Sequence, residues 1–385
     1  MDEAVTGDAF VRVLLIAFDS GELSIRLASA LAEEVDQLCL MLPEKQAAPH
    51  LTLLNKKVNF QPFHRPRLRQ FIPQIRLMYA LLRRIRRFDP QVIHYQKGHF
   101  WFNLCLPLLR RYPLVVSIHD PKIHSGDKST ARTPQAILNL AYRQADRVIA
   151  HNPQMKQEII AELGIPQDKI HITPLIERGR PELQTNEVQE DKHLVMYFGR
   201  IWKYKGLEYF IRSQPLVSAE IPEVRFLIAG RGDNFEPYRN LMADPDKFIV
   251  HNEFVTYEKQ TELFRRASIV VLPYIEATQS GVIPVAYNFE KPVIATAVGG
   301  LPSQVEHECT GLLVPARDEY ALADAIIRLL KNDLLRRQYG RNGRQKLERE
   351  WTASAVARQT LPVYESAIEA FTRKPERRRF DASIQ

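Results

Sequence analysis

The 385-residue chain holds only three cysteines, Cys39, Cys105 and Cys309, far apart, with no CxxC pair and no His–Cys spacing that would hold zinc. This excludes a disulfide framework and fits a reduced, cytoplasmic compartment. The chain also lacks any run of about eighteen uncharged apolar residues, and its first ten residues, MDEAVTGDAF, are acidic without an apolar segment. Secretion and membrane spanning are therefore not expected. No low-complexity tract is present. The first turn between strand and helix, Asp19-Ser20-Gly21, has a single glycine where a dinucleotide-binding GxGxxG would need three, which removes most support for a dehydrogenase.

What is present is an ordinary soluble composition, 45% apolar and 25% charged, in a chain long enough for two domains. The formal charge of +8 suits an anionic partner: nucleic acid, anionic lipid or a phosphorylated substrate. Short apolar segments alternate with helical ones through the first half: 11–18 (VRVLLIAF), 37–42, 91–95 (QVIHY), 114–119 (LVVSIH), 147–152 (RVIAHN) and 170–175. Such segments read as parallel strands of a doubly wound α/β domain. The fourth of them delivers His119 and Asp120 to the sheet edge, as a turn or as groups facing a ligand.

Residues 65–88, RPRLRQFIPQIRLMYALLRRIRRF, place Leu68, Phe71, Ile72, Ile75, Met78, Tyr79, Leu82 and Ile85 at three- and four-residue steps, the packed face of a helix beginning near Pro73. Arg67, Arg69, Arg76, Arg83, Arg84, Arg86 and Arg87 take the other positions with no acidic residue among them. They read either as a solvated basic face or as a patch for an anionic membrane surface. Nucleic acid is not expected, because no aromatic platform accompanies the charge.

Residues 178–192 are polar and aperiodic, a linker between a first domain at 1–177 and a second at 193–352, with a final helix and basic tail at 353–385. The second half carries six strand-like segments, at 193–198, 224–229, 248–254, 269–274, 292–298 and 311–314. The first ends in Gly199-Arg200 and is followed by Lys205-Gly206. Both cations then share a sheet edge with the loop 275–281, where helix amides and the nearby Gly299-Gly300 make a place for phosphate. Arg231, in Gly230-Arg231-Gly232, bounds a nucleobase pocket or lies in a simple tight turn. Asp244-Pro245-Asp246 imitates a metal-binding pair but reads as a proline turn in solvent.

The segments YFGRIWKYKGLEYFI, FLIAGRG, LPYIEATQSGVIPVAY, KPVIATAVGGLPS and TGLLVP resemble, in order and spacing, the retaining glycosyltransferase family 4. VIHY, SIHD and DRVIAHN match it more loosely in the first half. The resemblance implies the GT-B fold, two Rossmann-like doubly wound parallel-sheet domains facing a central cleft, with the last helix crossing back to the first domain. It also implies a nucleotide-sugar donor whose diphosphate meets Arg200 and Lys205, no metal or other cofactor, and His119 beside the transferred sugar; by their place at the same sheet edge, the amides near Ser280 and Gly281 would join the two cations. The acceptor would be a glycan or a lipid-linked group, in cell-surface polysaccharide or glycolipid synthesis, at the cytoplasmic side of the membrane.

One departure stands out. The two glutamates that the family carries eight residues apart fall on Ala277 and Val285, neither of which accepts a hydrogen bond. Glu276, one residue from the first position, is then the loop's carboxylate and a catalytic candidate, with Gln279 and Thr278 to hold the donor sugar or ribose. A sugar-nucleotide epimerase of the same fold, or a silent binding protein, remains beside the transferase reading.

Overall fold

A computed structural model describes residues 11–96, 98–121, 133–183, 188–232 and 234–373. The acidic first ten residues, part of the expected linker (184–187) and the basic tail beyond Arg373 lie outside the described residues.

Seven strands form the first sheet: β1 Arg12–Ala17, β2 Gln37–Pro43, β3 Val58–Phe63, β4 Val92–Gln96, β5 Leu114–Ser117, β6 Arg147–Ala150 and β7 Ile170–Ile172. They lie in the order β3-β2-β1-β4-β5-β6-β7 with every pair parallel. Six strands form the second: β8 Leu194–Phe198, β9 Arg225–Ala229, β10 Phe248–His251, β11 Ile269–Leu272, β12 Val293–Thr296 and β13 Gly311–Val314. Their order is β10-β9-β8-β11-β12-β13, again all parallel. Strand β1 shows why these segments are apolar throughout rather than alternating. Leu14 and Ile16 enter one core while Val13, Leu15 and Ala17 enter the other, so both faces are covered by helices.

Each sheet reverses strand order once, between β1 and β4 and between β8 and β11. A crevice opens at such a point beyond the carboxyl ends of the strands, where loops diverge to opposite faces.

The final helix, Ala353–Thr372, packs on the first sheet rather than the second: Val356, Ala357, Val363, Tyr364 and Ala367 share a core with β1. Its Tyr364 hydroxyl lies 2.8 Å from His94 Nδ1, and Arg147 Nε donates to Ser366 Oγ at 2.7 Å.

Two expectations change. Strand β3 has no counterpart in the sequence reading, because VNFQPF is half polar and contains Pro62; a sheet edge tolerates proline, since no further strand needs its amide. The arginine-rich helix spans Phe71–Phe88, starting before Pro73, and its apolar residues do not form one packed face. Met78, Leu81 and Ile85 are buried, whereas Phe71, Ile72, Ile75 and Tyr79 are exposed, the last by 67%.

Candidate active site

The two switch points build the site from opposite sides. On the second sheet, β8 ends at Phe198 and Arg200 follows, exposed, its carbonyl accepting from the Tyr197 hydroxyl at 2.9 Å. The Arg200 guanidinium lies 3.8 Å from the centre of the Trp202 ring. Lys205 ends the short turn Lys203–Lys205, and its ammonium sits 3.6 Å from the ring centre of Tyr274. Stacking on aromatic faces restrains both long side chains and stabilises each cation modestly, by about 0.5–1 kcal/mol where solvent is near.

Tyr274 links this pair to the loop after β11. It is buried, which pushes its phenol well above the ordinary range and keeps it neutral, and its hydroxyl lies 3.2 Å from Ser280 Oγ. Lys205, Tyr274 and Ser280 thus form one contiguous wall.

The backbone of that loop is more occupied than the sequence suggests. The Ser280 N–H donates to Gln304 Oε1 at 2.7 Å, Gln304 Nε2 returns a bond to the Ser280 carbonyl, and the Val282 N–H donates to Ser280 Oγ at 3.2 Å. Ser280 therefore fixes the turn entering the helix Val282–Asn288, with its own amide already bonded. Nor do Gly299 and Gly300 present themselves to an anion. A Cβ on Gly299 would lie 1.7 Å from the Ala277 carbonyl oxygen, and one on Gly300 would lie 2.1 Å from that of Thr278, so this pair lets the loop pack down.

Glu276 is exposed, with its amide directed at the Tyr204 carbonyl, while Thr278 is buried and Gln279 half-buried. Ala277 and Val285, at the positions of the missing glutamates, are both buried. Val285 lies against the linker, 3.2 Å from where Gly179 would carry a Cβ. Arg231 is exposed, and its carbonyl accepts from the Ile201 amide at 3.2 Å, which ties its loop to the one bearing Arg200. The Asp244 carboxylate accepts from the Asp246 amide, closing a proline turn as read.

On the first sheet, His119 follows β5, half-buried, and contacts cross from here to the second domain. Gln279 Nε2 donates to the His119 carbonyl at 3.2 Å. Asn152 does the same work from the next loop: its Oδ1 caps the helix Pro153–Leu163 by accepting from Met155, while Nδ2 donates to the Thr278 carbonyl at 2.9 Å. The sequence reading had no role for Asn152, although Asn directly before Pro153 is a visible capping signal. Behind His119 the ring of His151 lies at 4.8 Å, oriented by Nδ1 donating to the Thr173 carbonyl at 2.9 Å; burial holds its pKa down to about 4. His119, Gln279 and Thr278 therefore meet at one domain boundary, and Arg200, Lys205 and Ser280 gather around Tyr274. Among the described residues no three His, Cys, Asp or Glu side chains come together as a metal site.

Two parallel-sheet α/β domains, of seven and six strands, match the GT-B architecture of glycosyltransferases. Among solved structures, sucrose-phosphate synthase from Thermosynechococcus elongatus superposes with a TM-score of 0.70 over 93% of this chain and 100% of its own, at 20% identity. HepE from Anabaena, solved with UDP and glucose, gives 0.66 over 92% and 100%, at 16% identity. By sequence, the family described as glycosyl transferases group 1 matches residues 192–332, and glycosyltransferase family 4 matches residues 23–175. The chain belongs to glycosyltransferase family 4. Its curated relatives include an uncharacterized glycosyltransferase of Methanocaldococcus jannaschii, 26% identical over 75% of this chain and 78% of that one. A D-inositol 3-phosphate glycosyltransferase of Pseudarthrobacter chlorophenolicus is 27% identical over 76% and 75%.

Proposed function

We propose that the protein transfers a hexosyl group from a nucleotide-sugar donor to a hydroxyl of a glycan or lipid-linked acceptor, with retention at the anomeric carbon. The observation that carries this reading is the pair Arg200 and Lys205, pinned on Trp202 and Tyr274 at the carboxyl edge of β8 and facing the Ser280–Gly281 turn. Two fixed cations at a switch point suit a diphosphate whose negative charge grows as the sugar leaves. The related HepE was solved with UDP-glucose, which supports a nucleotide-sugar donor here.

Glu276, the loop's one carboxylate, is assigned here to hold donor hydroxyls and not to act as a covalent nucleophile. We therefore read the reaction as a front-face substitution: the bond between the anomeric carbon and the phosphate oxygen breaks, the acceptor oxygen bonds on the same face, and the departing phosphate takes its proton. His119 orients the transferred sugar, and Glu276 with Gln279 and Thr278 holds the donor's sugar or ribose hydroxyls. Arg231 bounds the nucleobase side. A capsular polysaccharide biosynthesis glycosyltransferase of Staphylococcus aureus, 24% identical over 58% of this chain and 63% of that one, favours a cell-surface glycan as product.

The test is a panel of UDP, GDP and ADP sugars, read by thermal shift and by donor hydrolysis. A ligand at about a hundred times its dissociation constant adds roughly 2.7 kcal/mol to stability, which one melting curve resolves. Stabilisation and slow hydrolysis by one sugar nucleotide are expected, unchanged by EDTA, because the two cations take the place of a metal. Rates that collapse on chelation, or a panel without effect, would contradict the reading.

A further inference from the structure

Where the chain crosses from the first domain to the second, at residues 177–180, three arginines meet, and two of them are held by the fold. Arg26 donates to the Gly179 carbonyl at 2.7 Å and pairs with Glu22 at 3.2 Å and Glu177 at 3.9 Å. Arg180 donates to the Pro49 carbonyl at 2.8 Å, its guanidinium 4.8 Å from the ring centre of Tyr257.

Arg178 differs. It is half-buried, and among the described residues its guanidinium makes no hydrogen bond and no ion pair. Its Nε is enclosed by the fold, whereas Nη1 and Nη2 are not. Val285, the side chain packed against the neighbouring Gly179, is apolar and supplies no counter-charge. A guanidinium keeps its charge at every pH at which the fold survives, and a partly desolvated charge is costly without a partner. What completes Arg178 is an anion from outside the chain.

Its surroundings say which anion. The tip of the side chain lies against the Ser280–Gly281 turn: a Cβ on Gly281 would meet Nη1 at 3.3 Å and Cζ at 3.5 Å, so glycine gives the fork its room. The same turn touches the elements that carry the other two cations. A Cβ on Gly199, the residue before Arg200, would lie 3.6 Å from Val282 Cγ2, and Ser280 Oγ reaches the hydroxyl of Tyr274, on whose ring Lys205 rests. The Arg178 charge is also felt at His151, behind His119, where it adds to burial in holding that ring's pKa down. A carboxylate on the transferred sugar is therefore a second anion within range, but contact with the Ser280–Gly281 turn favours the diphosphate.

We propose that Arg178, carried on the linker, is a third donor-binding cation, its fork set on the diphosphate beside Arg200 and Lys205. The inference rests on the donor site proposed above and deepens it. Calorimetry with UDP, GDP, ADP and inorganic pyrophosphate tests it, the last reading the anion site without a base. Arg178→Gln should weaken pyrophosphate, and each nucleotide that the wild type binds, at least about tenfold, and Arg178→Lys should recover part of the loss. Pyrophosphate affinity should also depend less steeply on salt in Arg178→Gln, a change that lost packing alone does not produce.

Unchanged pyrophosphate and nucleotide affinity in Arg178→Gln overturns the proposal, as does a loss that Arg178→Lys shares in full with the salt dependence unaltered. A loss confined to UDP-glucuronate, with UDP and UDP-glucose bound as by the wild type, overturns it too and moves the anion to the transferred sugar. Should Arg178→Gln fail to melt cooperatively, Arg178→Met, which keeps an unbranched stem, carries the same comparison. If neither pyrophosphate nor any nucleotide binds the wild type, the donor reading itself falls; binding that Lys205→Ala weakens and Arg178→Gln leaves alone strikes this inference only.

Discussion

Lys205 lies on the face of a buried tyrosine, so its ammonium cannot swing away from the Ser280 turn without giving up that contact. A charged hydrogen bond in such a setting contributes about 1.5–3 kcal/mol, so Lys205→Ala should weaken nucleoside diphosphate binding roughly tenfold to a hundredfold and lower turnover with it. Arg200, more exposed and stacked on Trp202, should lose less on conversion to alanine; unchanged affinity in both variants, measured by calorimetry, would remove the diphosphate site. If His119 orients the transferred sugar as proposed, His119→Ala should lower kcat while nucleoside diphosphate affinity stays close to wild type. Glu276 poses a sharper question because its loop leaves it exposed. If its carboxylate accepts from donor hydroxyls, Glu276→Gln lowers kcat/KM about tenfold to a hundredfold with an intact fold. An exposed carboxylate without that contact would cost almost nothing to replace, and wild-type kinetics would shift the holding role to Gln279.

The helix Phe71–Phe88 carries exposed Phe71, Ile72, Ile75 and Tyr79 alongside its arginines, a combination that solvent alone does not favour. One arginine is partly engaged, since Arg84 donates to the Pro62 carbonyl on the edge strand β3 at 3.0 Å; Arg76, Arg83, Arg86 and Arg87 are exposed. Among the described residues no helix is long and apolar enough to cross a membrane, so contact would be in the plane of the interface. Charge brings such a helix to acidic lipid at about 1 kcal/mol for each arginine, and the apolar side chains then hold it. Cosedimentation with phosphatidylserine vesicles should therefore fade as salt screens the attraction beyond about 8 Å, and Phe71→Ser with Ile75→Ser should remove the part that survives salt. Equal recovery with neutral and anionic vesicles would return this face to ordinary solvent exposure.

At the scale of the whole molecule, strands were legible where they are apolar on nearly every residue, as β1 and β11 are, whereas the half-polar edge strand β3 was not; all six strands of the second sheet have counterparts in the reading. The candidate site was legible as far as placement goes: Arg200, Lys205 and His119 lie after β8 and β5, at the sheet edges where they were read. It was not legible where tertiary packing decides. Nothing in QSG announces that Gln304 takes the Ser280 amide, and nothing in AVGG distinguishes glycines that approach a phosphate from glycines that let a loop pack down. The buried histidines of the first domain belong to the same hidden class, and they set a property of the entire fold. His94, held between the Tyr364 and Ser117 hydroxyls, is pushed down to about 3, and His99 and His151 to about 4, in each case chiefly by burial. All three are neutral in the folded chain and titrate near 6.5 once unfolded. Because the folded pKa is the lower one, the unfolded state binds more protons in that window, so the stability is fully present above about pH 6.5 and is lost as pH falls toward 4 and below. At about pH 5 each group should cost roughly 2 kcal/mol, with nearly three protons taken up on unfolding. Denaturant titrations at about pH 7.5 and pH 5 should show a large drop in midpoint, and His94→Gln should flatten that dependence even if it lowers stability at neutral pH. Midpoints that agree at the two pH values would mean that these rings are protonated or hydrated in the folded protein.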